Sequence, residues 1–259
     1  MLPILNLGPV AIPVPALVVL AGIWICIYLA EKFAPRFGLS AAKISNLIIL
    51  MLVSGVIGAR LTYLLRYPEA FIQHPADILS RSPGLLDPLG GIILAVITGY
   101  IYGLRKGLPL WSTLDALAPG LAALAICISL SNLASGNAFG RPTDLPWGIY
   151  LWGDYRHPIQ IYEIILLALL FGFIITNTKK WVAAKPGTLF LTFLASCSFI
   201  YIFVEAFRGD SLLFVETYRT VQLIAWLILA LCLWGIRERI GKQTESIQGF
   251  PSPDRQEEE

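Results

Sequence analysis

Charge is scarce in this 259-residue sequence: only 14% of residues are Asp, Glu, Lys or Arg, and there are two histidines and four cysteines. A soluble domain carries roughly 25% charged residues, so the deficit argues against a soluble globular enzyme. The hydrophobic share of 56% argues equally against disorder. Net charge is +2, and no basic stripe or aromatic-interleaved Lys/Arg run is present, which excludes nucleic acid as a partner. Cys26, Cys127, Cys197 and Cys232 all lie in apolar runs, with no CxxC pair and no ligand spacing to His74 or His157. They read as small packing residues, and neither a metal site nor a cofactor is expected.

What the sequence has in abundance is long apolar runs, reflected in a mean hydropathy of +0.71. A membrane span needs roughly 20 mostly apolar residues. Runs of that kind fall at about 13–31, 45–65, 87–104, 110–134, 158–176, 188–206 and 219–236, each bounded by Pro, Gly or charged clusters. An open sheet edge in lipid leaves its backbone unsatisfied, and the alternation of a membrane barrel is missing. The expected fold class is therefore an all-α membrane protein with seven transmembrane helices.

Basic residues orient it. Lys32, Arg36, Lys43, Arg105, Lys106, Lys179, Lys180, Lys185, Arg237, Arg239, Lys242 and Arg255 fall on one side, against Arg66, Arg81, Arg141, Arg156, Arg208 and Arg219 on the other. The positive-inside rule then predicts an outward N-terminus and a cytoplasmic C-terminus. The start of the chain lacks a basic region before its apolar stretch, so it is expected to be a retained first span. The stretch 135–157, SGNAFGRPTDLPWGIYLWGDYRH, is rich in Gly, Pro and aromatics and predicts a small ordered outer-surface lobe between helices 4 and 5. The mixed pattern over 66–86 predicts an interfacial helix. One transmembrane domain is expected over 1–240, followed by a disordered tail over 241–259.

Ionisable residues within or beside the spans are costly in lipid and mark functional sites. Arg60, Asp87, Asp115, His157, Glu163 and Glu205 qualify, and the predicted orientation gathers Arg60, Glu163 and Glu205 toward the outer side. Structural roles compete at each position. Glu163 and Arg60 can pair simply to join two helices, Glu205 and Arg208 can form a helix-end pair, and Asp115 with Pro119 reads as a cap and kink. His74, followed by Pro75, reads as an interfacial loop residue.

Four segments in this order and spacing, GARLTYLLRYPEAF (58–71), GNAFGRPTDLPWGIYL (136–151), RHPIQIYE (156–163) and FVEAFRGD (203–210), resemble the prolipoprotein diacylglyceryl transferase family. GRPTDLPWGI and RHPIQIYE are the most specific pieces. The resemblance implies a multi-pass protein of the bacterial cell (inner) membrane. It further implies transfer of the diacylglyceryl group of phosphatidylglycerol to the lipobox cysteine thiol of a lipoprotein precursor, presented with its signal peptide, and release of glycerol phosphate.

That chemistry needs a thiolate, hence a base or positive field, and arginines to hold the phosphate in a bidentate fork. The candidate catalytic residues are His157, Glu163 and Glu205, with histidine the side chain that ordinarily titrates nearest neutrality. The candidate lipid and phosphate ligands are Arg60, Arg141, Arg208, Asn132 and Gln160, and Arg156 is a further guanidinium on the same side. The sequence also departs from the family pattern. Leu89 stands where the family usually has the His of His-Gly-Gly, Ser129 and Tyr201 where it has arginine, and Asn137 where it has Glu. An alternative reading is therefore an impaired relative that binds phospholipid or signal-peptide helices without transfer. A small-solute transporter is a third reading, disfavoured because no internal repeat supports it.

Overall fold

The computed structural model describes residues 4–7, 10–73, 86–211, 213–214 and 218–248. The chain begins with a hairpin, β1 (Ile4–Leu7) against β2 (Val10–Pro13), in which Ile4 faces Pro13 across the ladder. Pro9 and Pro13 lack the amide that helix continuation needs, so regular helix begins only with α1 (Val14–Phe33). Then follow α2 (Ala41–Arg66), α3 (Pro68–Gln73), α4 (Pro88–Lys106) and α5 (Leu110–Ser135). A hairpin of β3 (Ile149–Leu151) and β4 (Asp154–Arg156) precedes α6 (Ile159–Thr176), α7 (Thr178–Ala183) and α8 (Thr188–Glu205). The two-residue strands β5 (Leu213–Phe214) and β6 (Tyr218–Arg219) lead into α9 (Thr220–Gln248).

Among the described residues, 7 helical stretches are long and apolar enough to cross a membrane, and all seven expected runs are helices. The expected all-α membrane class therefore holds, with strands confined to three short hairpins outside the spans. The last helix continues to Gln248, into the stretch expected to be a tail, and 249–259 lie outside the described residues. The interfacial helix expected over 66–86 is helical at Pro68–Gln73, while His74 and residues 75–85 lie outside the described residues.

The chain divides into two compact units, Ala30–Ala116 and Met1–Leu29 with Leu117–Glu259. In the first, α2 and α4 approach through small residues. A Cβ on Gly58 would lie 2.6 Å from Leu94 Cβ and 2.8 Å from the Gly90 carbonyl, and one on Gly90 would run into the Thr62 side chain. Lipid supplies no hydrophobic drive between helices, so such close backbone contact is what holds them together. Leu89, Ile92, Ile93, Val96, Ile97 and Ile101 of α4 remain exposed, as a lipid-facing surface requires. Gly58→Leu is expected to destabilise this pair by about 1–3 kcal/mol, the usual cost of overpacking, read as an earlier thermal transition in detergent.

Asp87 is the N-cap of α4, not a membrane charge. Its Oδ1 accepts from the Leu89 amide (2.9 Å) and the Gly90 amide (3.4 Å), and Oδ2 pairs with Arg66 at 3.2 Å. Partial burial pushes its pKa up, but the two amides and Arg66 outweigh that and hold the carboxyl below its ordinary value. A depressed carboxyl stabilises above its unfolded pKa and loses that contribution as pH falls through the folded value. Parent and Asp87→Asn proteins are thus expected to differ in melting temperature at neutral pH and to converge under acid, checked by melts at several pH values. Asp115 is buried inside α5 rather than at its start, so the capping role expected for it is corrected: a cap must sit at the first turn, where amides are unpaired.

In the second unit, Gly22 packs against Cys127, and Gly120 against the Cys26 backbone. All four cysteines are free, as small packing residues should be. In the lobe, Trp152 (φ 56) and Gly153 (φ 82) make the tight β3–β4 turn. The segment 139–143 then threads between two neighbours. The Arg141 amide donates to the Phe207 carbonyl (2.9 Å), the Gly209 amide to Phe139 (2.9 Å), and the His157 amide to Arg141 (3.0 Å). Two glycines permit this: a Cβ on Gly140 would strike the His157 carbonyl, and one on Gly209 would lie 2.7 Å from the Gly140 carbonyl.

Candidate functional site

That threaded backbone brings three separate sequence motifs together. Arg141 comes from the lobe, His157 from the entry to α6, and Arg208 from the exit of α8. Beneath them lies a group of buried polar side chains: Ser129 of α5, Gln160 and Glu163 of α6 and Glu205 of α8 are each 3% exposed or less. Apolar helices bury such groups only with partners. The Ser129 hydroxyl donates to Glu163 Oε2 at 2.9 Å, and Gln160 Nε2 donates to the Asn137 carbonyl at 2.7 Å.

Other atoms of the group are unsatisfied. Gln160 Oε1 and both Glu205 carboxylate oxygens are buried without a hydrogen-bond partner among the described residues. The ion pair nearest Glu205 is Arg208 Nη1, at 3.6 Å from Oε2. Arg208 is itself bound through Nε to Asp210 Oδ1 at 2.6 Å. Burial opposes its charge, but Asp210, Glu205 and Glu163 outweigh burial and raise its pKa above the ordinary value.

His157 points elsewhere. Its Nδ1 lies 3.5 Å from the Tyr162 hydroxyl, which also accepts a hydrogen bond from Trp147 Nε1 at 2.9 Å. Its ring lies 5.2 Å from that of Phe207. These residues, with Leu145, Ile165, Leu166 and Phe203, line an apolar groove of about 440 Å³. The site thus pairs an imidazole at an apolar groove with a neighbouring cluster of buried carboxylates and guanidinium groups. An apolar chain fits the first and an anion the second.

The remaining expected residues are placed as follows. Arg141 is exposed at the head of the cluster. Asn132 acts through its carbonyl, which accepts from the Gly136 (2.9 Å) and Asn137 (3.1 Å) amides at the end of α5. Arg60 belongs to the other unit, where its guanidinium lies 5.7 Å from the centroid of the Phe71 ring. Arg156 is taken up by the Leu151 (3.0 Å) and Gly140 (3.2 Å) carbonyls and braces the lobe. Among the described residues, no three His, Cys, Asp or Glu side chains gather as a metal site.

Sequence reasoning missed Asp210, Tyr162 and Arg219. Arg219 enters the sequence reading only as a charge that orients the chain, yet its Nη2 donates to the Arg208 carbonyl at 3.4 Å and its Nη1 is buried without a partner among the described residues. A hint for Tyr162 was its place inside RHPIQIYE. For Arg219, no motif in the sequence surrounds it.

Comparison with known proteins agrees with the resemblance. The family model described as prolipoprotein diacylglyceryl transferase matches residues 3–237. A phosphatidylglycerol–prolipoprotein diacylglyceryl transferase of Nostoc sp. is 29% identical over 247 residues, covering 90% of this chain and 87% of that protein. One of Streptococcus pneumoniae serotype 4 is 30% identical over 240 residues, covering 90% of each chain.

Proposed function

Because the chain belongs to the prolipoprotein diacylglyceryl transferase family, we propose that it moves the diacylglyceryl group of phosphatidylglycerol onto the lipobox cysteine thiol of a lipoprotein precursor. The observation that carries this reading is the junction of an apolar groove with a polar cluster at one end of the helices. In the reaction, the cysteine sulfur attacks the glyceryl carbon, a C–S bond forms, and the C–O bond to phosphate breaks. The thiol proton passes to His157, and glycerol phosphate leaves with the bonding pair. Arg141 offsets charge at the phosphate. Glu163 and Glu205 set the field of the cluster, and Gln160 and Asn132 shape its floor. The lobe faces outward, the C-terminus lies in the cytoplasm, and the membrane is the bacterial cell (inner) membrane.

The non-catalytic alternative is favoured by one observation, the neutral Ser129 hydroxyl that serves Glu163 where the family pattern has arginine. Incubating purified protein with phosphatidylglycerol and a lipobox-Cys peptide separates the two. Glycerol phosphate release, with a thioether-linked diacylglycerol on the peptide, is expected from the parent. His157→Ala should slow it roughly 10²–10⁴-fold, the usual loss of a general base. Release that ignores His157 removes its role as base. No release from a folded protein that still binds the lipid selects the alternative.

A further inference from the structure

Of the three arginines at the head of the polar cluster, Arg208 is already committed to carboxylates. Asp210 holds its Nε, and Glu205 lies at its Nη1. Arg219, directly before α9, is in the opposite condition. Among the described residues, its Nη2 donates to the Arg208 carbonyl and its Nη1 is buried without a partner. Its Coulombic neighbours are Arg141, a like charge, and Glu205. Among the described residues, the Arg141 guanidinium has no ion pair either.

The Arg208 backbone links Arg141 and Arg219: Gly140, next to Arg141, bridges to it, and Arg219 Nη2 donates to its carbonyl, and like charges tethered to one segment repel unless an anion offsets them. Burial and Arg141 both lower the Arg219 pKa, against the pull of Glu205. Among the described residues, no carboxylate forms an ion pair with either Arg141 or Arg219, as Asp210 does with Arg208. Phosphate oxygens, spaced for bidentate guanidinium contacts, suit two such arginines better than a single-point anion.

We propose that Arg219 and Arg141 form the anion clamp of this protein, and that Arg219, not Arg208, is the second guanidinium on a phosphate group. This rests on the proposed transfer reaction, in which that phosphate is the lipid headgroup; the same chemistry would also hold free phosphate. Arg208 is then a positioning residue, whose carbonyl receives Arg219 and whose charge balances Glu205.

The test compares parent, Arg219→Gln and Arg219→Lys full-length proteins in detergent. Retention of phosphatidylglycerol and of diacylglycerol is measured by native mass spectrometry, with inorganic phosphate as competitor. Arg219→Gln is expected to weaken phosphatidylglycerol binding roughly ten- to hundredfold, the range for a charge-assisted hydrogen bond, and to leave diacylglycerol binding unchanged. Arg219→Lys should retain an intermediate affinity, since it keeps the charge and loses the fork. Phosphate that displaces phosphatidylglycerol from the parent but not from Arg219→Gln supports the headgroup as ligand. Phosphate that binds through Arg219 without displacing lipid assigns the clamp to the free ion. Equal phosphatidylglycerol affinity in parent and Arg219→Gln, with no phosphate effect, overturns the clamp, even if turnover still depends on His157. A clamp that binds lipid in a chain releasing no glycerol phosphate stands, while the transfer reading falls.

Discussion

Arg208→Ala is expected to cost ~3–5 kcal/mol of stability, the penalty for leaving a buried charge without its partner. Glu205 is 1% exposed, and neither of its oxygens has a hydrogen bond among the described residues, so the Arg208 guanidinium at 3.6 Å is its nearest ion-pair partner. The reverse change should be milder. Glu205→Gln leaves Arg208 with Asp210 at 2.6 Å, and Arg208 is 23% exposed at its side chain, so water and Asp210 still stabilise it. The Glu205→Gln/Arg208→Ala double variant is expected to recover part of the loss, because the orphaned charge is gone. Thermal melts of the four proteins in one detergent form a double-mutant cycle. Equal melting temperatures for parent and Arg208→Ala would show that Glu205 is not held as a buried carboxylate.

Gly140→Ala is the second large effect, and it should appear first in activity. The added Cβ has no room, because it meets the backbone carbonyl and Cβ of His157 rather than the end of a flexible side chain. Segment 139–143 must then move away from residues 155–157, and the Arg141–Phe207 and His157–Arg141 backbone bonds go with it. Arg141 and His157 are carried on those two segments. A shift of about 1 Å in a catalytic constellation costs on the order of 10²-fold in turnover. Glycerol phosphate release is expected to fall by about that factor, with overpacking adding about 1–3 kcal/mol of lost stability. Gly172→Ala is the matched control, since a Cβ there meets nothing within 4 Å. Comparable release from Gly140→Ala and Gly172→Ala would mean that the threading of the lobe does not position the reacting groups.

The helices were legible in sequence because a span is a composition property: seven apolar runs, punctuated by Pro, Gly and charge, are helical for the same reason that they are apolar. The existence of a lobe between the fourth and fifth spans was legible too, since Gly, Pro and aromatics over 135–157 can serve neither a span nor a flexible tail. The family was carried by short motifs whose residues happen to sit at contacts. GRPTDLPWGI carries Arg141 and RHPIQIYE carries His157, and the His157 amide donates to the Arg141 carbonyl.

Pairing was not legible. Although Gln160 and His157 are three residues apart, His157 precedes α6 and turns toward Tyr162 and Phe207, while Gln160 turns to the Asn137 carbonyl. Asp87 looked like a charge in lipid until the end of α2 and the start of α4 were set side by side. Ser129 read as a lost arginine, whereas in the fold its hydroxyl meets Glu163, a residue 34 positions away.

Sequence alone determined the membrane class and the number of membrane-spanning helices among the described residues. Those follow from hydropathy and charge, which act residue by residue. Which arginine is spent on a carboxylate, and which keeps a buried N–H without a partner among the described residues, was decided only by tertiary structure. Arg208 and Arg219 are the same residue type eleven positions apart, one with its side chain 2.6 Å from Asp210 and the other unpartnered at Nη1 among the described residues. A guanidinium's function depends on what neutralises it, and neutralisation is a matter of distance in space.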